Sequence, residues 1–63
     1  MSQEELRKNV KIAKALNDDI LYKDFADYLN IDHNSFYNWL HGYYQLSIDN
    51  AEKLYDVVID LIN

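Results

Sequence analysis

The side chains best suited to acid–base or metal chemistry are two histidines, His33 and His41, and two adjacent carboxylates, Asp18 and Asp19. The histidines are eight residues apart, whereas two histidines that bind one metal ion on a helix are more often three or four residues apart. The Asp18–Asp19 pair is typical of a polar helix end. The chain has no cysteine, no Gly-rich phosphate loop and no nucleophile motif. We therefore predict no catalytic residue, no metal site and no cofactor.

The composition predicts the elements that must position any functional residue. The chain has 63 residues, one glycine and no proline, which favours one all-α domain over residues 1–63 and excludes a multidomain enzyme. Because 49% of the residues are apolar, the composition is that of a globular chain. It contains no apolar run of the ~18 residues that cross a bilayer and no signal-peptide pattern near its start. We expect a cytoplasmic location.

Charge is distributed unevenly along the chain, whose formal net charge is −5. Residues 1–17 contain four Lys or Arg against two Glu, a net charge of +2, and residues 18–63 contain two Lys against nine Asp or Glu, a net charge of −7. No Lys, Arg, Asp or Glu lies between His33 and Ile48. The sequence therefore combines a basic first segment, an acidic body and an uncharged aromatic stretch.

Hydrophobic periodicity predicts four helices, at residues 2–17, 22–29, 33–41 and 48–62. Three of them begin after a side chain that can cap the helix: Ser2, Asp32 and Ser47. The single glycine, Gly42, follows the third helix, where a left-handed residue commonly ends a helix.

The apolar stripes of these helices predict the core. On the third helix the stripe holds Phe36, Trp39 and Leu40, and we expect Trp39 at the core edge with its N–H in water. The stripe of the first helix is Leu6, Val10, Ala13 and Leu16, widened by Ile12. The stripe of the last helix is Ala51, Leu54, Tyr55, Val58, Leu61 and Ile62. Val57 and Ile59 lie off that stripe, so either a partner covers them or a small rotation of the helix places them partly in the core.

The segment Leu21–Gly42, LYKDFADYLNIDHNSFYNWLHG, resembles the helix-turn-helix of Cro/C1-type (lambda-repressor-like, XRE) regulators of phages and bacteria. Phe25 and Ala26 match an apolar and then a small residue of that motif. Asn30 stands at the turn position that usually holds glycine. Independently of the resemblance, Ala26 suits a close crossing of two helices, and Asn tolerates a left-handed turn better than other non-Gly residues.

Over about Tyr22–Val58, the resemblance implies a compact lambda-repressor-like domain of four to five helices with motif helices at about 22–29 and 33–41. In that family the second motif helix enters the major groove, where its exposed residues read base edges. Asn side chains can bond adenine through N6 and N7. The resemblance therefore implies a transcriptional regulator of operator DNA. The residues that correspond to DNA contacts are Tyr22, Lys23, His33, Asn34, Tyr37 and Asn38.

One departure from the family affects the expected affinity for DNA. Family members usually carry Lys or Arg just after the second motif helix, where this chain has Tyr43, Tyr44 and Gln45. Because phosphate neutralisation supplies much of the affinity for DNA, we expect a monomer to bind DNA weakly, with a shallow salt dependence. Useful affinity would require a homodimer or a partner.

The same uncharged aromatic stretch supports an alternative hypothesis, binding to another protein. Aromatic side chains are typical anchors of protein interfaces. In this interpretation an acidic helix-turn-helix protein acts as an antirepressor or as a phage-encoded inhibitor of a host nucleoprotein. The expected interface residues are Tyr37, Tyr43, Tyr44, Val57 and Ile59.

Overall fold

Helices account for most of residues 2–63, the part of the chain that the computed structural model describes. They are α1 (Gln3–Leu16), α2 (Tyr22–Leu29), α3 (His33–Leu40) and α4 (Ile48–Ile62). The described part contains no strand, so the predicted all-α class and the four predicted helices are confirmed. The predicted bounds differ by at most one residue at each end, which is within the usual uncertainty of a helix terminus.

Short polar side chains set the starts of the helices. The Oγ atoms of Ser2 and Ser47 each accept a hydrogen bond from the backbone N–H three residues further on, at 3.0 and 3.1 Å. A carboxylate oxygen of Asp32 accepts the backbone N–H two residues further on, at 3.0 Å. These three caps confirm the prediction. Helix α2 begins differently, because Asp24 reaches back from its first turn to accept the Leu21 N–H at 2.8 Å.

Helices α1 and α4 lie side by side and parallel. At their N-terminal ends, Gln3 Nε2 donates to the Leu46 carbonyl at 3.3 Å, and at their C-terminal ends Asn17 Nδ2 donates to the Leu61 carbonyl at 3.3 Å. Helices α2 and α3 pack against each other, and α2 also contacts α4. The shared core consists of Leu6, Val10, Ala13, Phe25, Ala26, Leu29, Phe36, Trp39, Leu40, Leu46, Ala51, Leu54 and Val58.

The turn between α2 and α3 has the geometry expected from its residues. Asn30 adopts the left-handed conformation with φ 56°, and Ala26 is fully buried. The Ile31 N–H donates to the Ala26 carbonyl at 3.0 Å and closes the turn. After α3, Gly42 has φ 87°, as predicted for a left-handed residue at a helix end.

The environment predicted for Trp39 is wrong. The side chain is fully buried rather than at the core edge, and its Nε1–H donates to Gln3 Oε1 at 2.6 Å. A buried indole N–H requires a partner, and the first turn of α1 supplies one in place of water.

The apolar stripes predicted for α1 and α4 are too wide. Ile12, Leu16 and Tyr55, all assigned to the core, have exposed fractions of 47%, 62% and 37%. The two helices bury only the central strip of each face in so small a domain. Val57 instead packs against the core, so the alternative of partial burial in the core holds for Val57, and Ile59 is half-buried.

Candidate nucleic-acid interface

Helix α3 presents its polar side to solvent. The buried side holds Phe36, Trp39 and Leu40. The exposed side holds four of the six predicted DNA contacts: His33, Asn34, Tyr37 and Asn38. This separation follows from the helical spacing of the two sets, since residues three and four apart share one face.

The two asparagines on this face have unused side-chain amides. Asn34 and Asn38 are one helical turn apart, so their side chains lie on the same side of α3. Asn34 donates its backbone N–H to the Asp32 cap. Within residues 2–63, neither side-chain amide makes a hydrogen bond. Both amides therefore keep a donor and an acceptor for an external partner.

Tyr22, another of the six predicted DNA contacts, lies beside the exposed face of α3. It is the first residue of α2 and is half-buried. Its ring stands edge-on to the ring of Tyr37, with 6.2 Å between the centroids, and lies 6.5 Å from the ring of Phe36. The structure thus brings Tyr22 together with the α3 residues. Lys23, the next residue, is exposed in the first turn of α2.

Lys14 joins this surface, although sequence reasoning did not single it out. Its Nζ lies 5.9 Å from the centroid of the Tyr22 ring, a distance at which a cation is attracted to an aromatic face. The sequence indicated only that the first helix was basic. Which of its lysines approaches α2 depends on how the helices pack, and no local pattern carries that information.

His33 is not free on the exposed face. Its Nε2 lies 2.8 Å from an Asp27 carboxylate oxygen, and the two side chains are 49% and 66% exposed. A pair this exposed contributes little to stability. It does occupy one of the two imidazole nitrogens, so His33 keeps less of its hydrogen-bonding capacity for DNA than Asn34 or Asn38 does.

Three carboxylates surround the N-terminal ends of α2 and α3. Asp24 caps α2, Asp32 caps α3 and Asp27 holds His33. Each neutralises positive partial charge at a helix end or on a side chain. The cations of the first segment and of α2 that remain beside this surface are Lys14 and Lys23, so its positive potential is weak.

Arg7, a further cation of the first segment, is engaged within the fold. Its Nε donates to the Trp39 carbonyl and an Nη donates to the Tyr44 carbonyl at 3.2 Å. The guanidinium also lies 5.2 Å from the centroid of the Trp39 ring. These contacts connect α1 to the end of α3 and to the α3–α4 connector. In that connector, Tyr43 is 83% exposed and Tyr44 is 41% exposed.

The residues predicted for a protein interface do not form one patch. Tyr37 packs on Tyr22, and Tyr43 and Tyr44 lie in the connector. Val57 and Ile59, two residues apart on α4, point to different sides of that helix. Val57 lines an apolar cavity of about 200 Å³ between α2 and α4, together with Ile20, Asp24, Phe25, Tyr28 and Leu61.

Among residues 2–63, no three His, Cys, Asp or Glu side chains lie close enough together to hold a metal ion. His33 and His41 stand at opposite ends of α3. In the same part of the chain, none of the helices combines the length and the apolar character needed to traverse a bilayer.

We compared the chain with protein-family models, with curated proteins and with solved structures, and no match was found in any of the three comparisons. The resemblance to Cro/C1-type regulators therefore rests on the residues of this chain.

Proposed function

We propose that this chain is a small helix-turn-helix transcriptional regulator that binds operator DNA with α3 in the major groove. The observation that carries the proposal is the pair of unengaged amides, Asn34 and Asn38, one turn apart on the exposed face of α3. Exposed polar side chains without internal partners can be replaced at little cost to stability, and amides are well suited to reading base edges.

The size and chemistry of α3 suit the major groove. With its side chains an α-helix is about 10–12 Å in diameter, which fits the major-groove width of about 12 Å, and the eight residues of α3 give a helix about 12 Å long. Each Asn can donate to and accept from one adenine, so Asn34 and Asn38 are assigned to base reading. Tyr37 stands between them in sequence and is assigned to a base or a phosphate at the groove edge.

Phosphate contacts come from the side of α2 and α1. The Tyr22 hydroxyl, Lys14 and Lys23 are the groups assigned to the DNA backbone. Because each neutralised phosphate contributes roughly −0.9 to the slope of log K against log salt, two lysine contacts predict a slope of only about −2. A salt slope this shallow would distinguish binding by this chain from the non-specific binding of a basic protein, for which the slope is steeper.

The proposal is tested by selecting bound sequences from a random duplex library and then titrating the selected and scrambled duplexes by fluorescence anisotropy. We expect the selected duplex to bind more tightly at both low and physiological salt. A flat signal at low salt, from protein shown to be dimeric by sedimentation, would overturn the proposal.

A second candidate, binding to another protein, is favoured by the connector. Tyr43 is 83% exposed and its neighbours are uncharged, while Arg7 holds the backbone in place. A fixed, exposed aromatic residue is a typical interface anchor. If this is the function, Asn38→Ala changes nothing on DNA, whereas Tyr43→Ala or Tyr44→Ala abolishes co-purification of a protein partner.

A further inference from the structure

The cavity between α2 and α4, which we call the α2–α4 cavity, has a volume of about 200 Å³. Its lining is aliphatic and aromatic except for one carboxylate, that of Asp24. Phe25 is buried and lies deepest, while Asp24 and Tyr28 are exposed and lie at the mouth. Half-buried aliphatic side chains complete the lining: Ile20, Val57 and Leu61. The cavity is therefore an apolar recess with a negative charge at its opening.

The volume of the α2–α4 cavity limits what it can hold. A cavity of about 150 Å³ lined by Leu, Ile and Phe is large enough to bind benzene, whereas pockets for drug-sized ligands begin at about 300 Å³. The α2–α4 cavity lies between these two sizes, so it accommodates one ring-sized apolar group. The rings of Phe25 and Tyr28 favour an aromatic group, since paired aromatic rings attract each other beyond the area that they bury.

The carboxylate of Asp24 has one oxygen that the fold does not use. Its Oδ2 accepts the Leu21 N–H at 2.8 Å. Within residues 2–63, Asp24 makes no other hydrogen bond and no ion pair. Because each oxygen of an ionised carboxylate can accept hydrogen bonds, Oδ1 is available to a ligand in the cavity. The strongest bonds to such an oxygen come from a charged N–H donor.

The surface around the mouth is mostly negative. Besides Asp24, the charged residues of this region include three carboxylates and one cation: Asp18, Asp19, Asp60 and Lys53. The first two lie in the loop before α2, and the other two are each one turn from Val57 on α4. Four carboxylates and one ammonium group give this region a net charge of 1 − 4 = −3. Such a field attracts a cation and repels an anion.

We infer that the α2–α4 cavity binds a small organic cation in which an ammonium group is attached to a ring-sized apolar group. The apolar group packs against Phe25, Val57 and Leu61, and the ammonium group donates to Oδ1 of Asp24. A second protein is a poorer occupant, because stable protein interfaces bury about 800 Å² on each partner and their centres are depleted of charged residues. Here the cavity takes a single group and charged side chains surround it.

The α2–α4 cavity lies apart from the surface proposed to bind DNA. On α2 the cavity is lined by Asp24, Phe25 and Tyr28, whereas Tyr22 packs beside α3 and Lys23 does not line the cavity. Helix α3 contributes no residue to the lining. This inference is therefore independent of the DNA proposal.

The first experiment titrates the protein with benzylamine, which is a cation at neutral pH, and follows the backbone amide signals by NMR. We expect saturable shifts at the cavity-lining residues with a Kd of about 1 mM or lower, a range open to so small a ligand. Benzyl alcohol and benzoate, which are neutral and anionic, have nearly the same shape and should bind more weakly, benzoate the weakest. Equal binding of all three, or no saturable shift at the lining residues, would overturn the inference.

The second experiment removes the charge at the mouth. Asp24→Asn keeps an oxygen that can accept the Leu21 N–H, and it should raise the Kd of benzylamine by about fivefold, the upper end for an exposed ion pair. The Kd of benzyl alcohol should stay at the wild-type value. Asp49→Asn makes the same change in the first turn of α4, two turns from Val57, and is the matched control. Equal effects of the two variants on benzylamine would contradict a contact with Asp24.

The third experiment fills the cavity. Val57→Phe places a ring where the ligand is proposed to lie, so binding of both benzylamine and benzyl alcohol should be lost. Ile59→Phe adds the same ring on a different side of α4 and should leave binding at the wild-type level. Circular dichroism checks that both variants are folded. Benzylamine that still binds folded Val57→Phe with the wild-type Kd would locate the ligand outside the cavity and overturn the inference.

Discussion

The two sides of α3 differ in how their polar groups are used. Around Trp39, Gln3 accepts the indole N–H and also bonds the backbone carbonyl and N–H of Leu46. Arg7 donates to the carbonyl oxygens of Trp39 and Tyr44. On the other side, the amides of Asn34 and Asn38 bond to no residue within 2–63.

This difference separates polar residues that maintain the fold from those available to a partner. A group with a buried internal partner destabilises the protein when it is removed, because the partner is left unsatisfied. An exposed group without an internal partner can be removed at little cost to stability, so its effect appears only in binding. The contrast therefore predicts opposite phenotypes for polar substitutions on the two sides of the same short helix.

The largest expected effect is on stability. Gln3→Ala should lower the free energy of unfolding by about 2–3 kcal/mol, the upper part of the range for a buried donor left without its partner, because Gln3 also bonds Leu46. Urea denaturation measures this change. Gln45→Ala, which removes an exposed amide of the connector, is the control and should leave the midpoint within error of wild type. Equal midpoints for the two variants would show that water satisfies the Trp39 N–H.

The next effect concerns base preference. Asn38→Ala should reduce discrimination between the selected duplex and its variants by about 1–3 kcal/mol at one base pair, while the urea midpoint stays at the wild-type value. Asn63→Ala removes an amide at the far end of the chain and should change neither quantity. Loss of stability without loss of discrimination would place Asn38 among the residues that maintain the fold.

A smaller effect is expected from the lysine beside Tyr22. Lys14→Gln should weaken binding to all duplexes alike and reduce the salt slope by about 1, the value for one phosphate contact. Lys53→Gln serves as the control, because Lys53 lies over the Tyr28 ring on the α4 side and should leave the slope unchanged. An unchanged slope in both variants would remove Lys14 from the DNA surface.

The smallest expected effect is an increase in affinity for DNA. Asp27→Asn removes a negative charge from the proposed DNA surface and weakens the hold on His33, so affinity for DNA should rise by a few-fold, or less than about 1 kcal/mol. Asp49→Asn makes the same charge change at the start of α4 and should raise affinity less. Lower affinity for Asp27→Asn would mean that the Asp27–His33 pair positions the imidazole for binding.

Local features were predictable from the sequence because their causes are local. The caps at Ser2, Asp32 and Ser47, the left-handed Asn30 and the two sides of α3 all follow from residue type and helical spacing. The partners of Trp39 and Tyr22 were not predictable. Trp39 bonds a residue 36 positions away, and Lys14 reaches Tyr22 only because α1 crosses near α2. Such contacts are set by how the helices pack together.

Base reading by α3 is tested most directly by following the side-chain amide signals of the protein by NMR as a selected duplex is added. We expect the NH₂ signals of Asn34 and Asn38 to shift most, while that of Gln3, which bonds Trp39 and Leu46, stays in place. Saturating DNA that leaves the Asn34 and Asn38 signals unmoved, or shifts only signals of the Tyr43–Gln45 connector, would contradict base reading by α3.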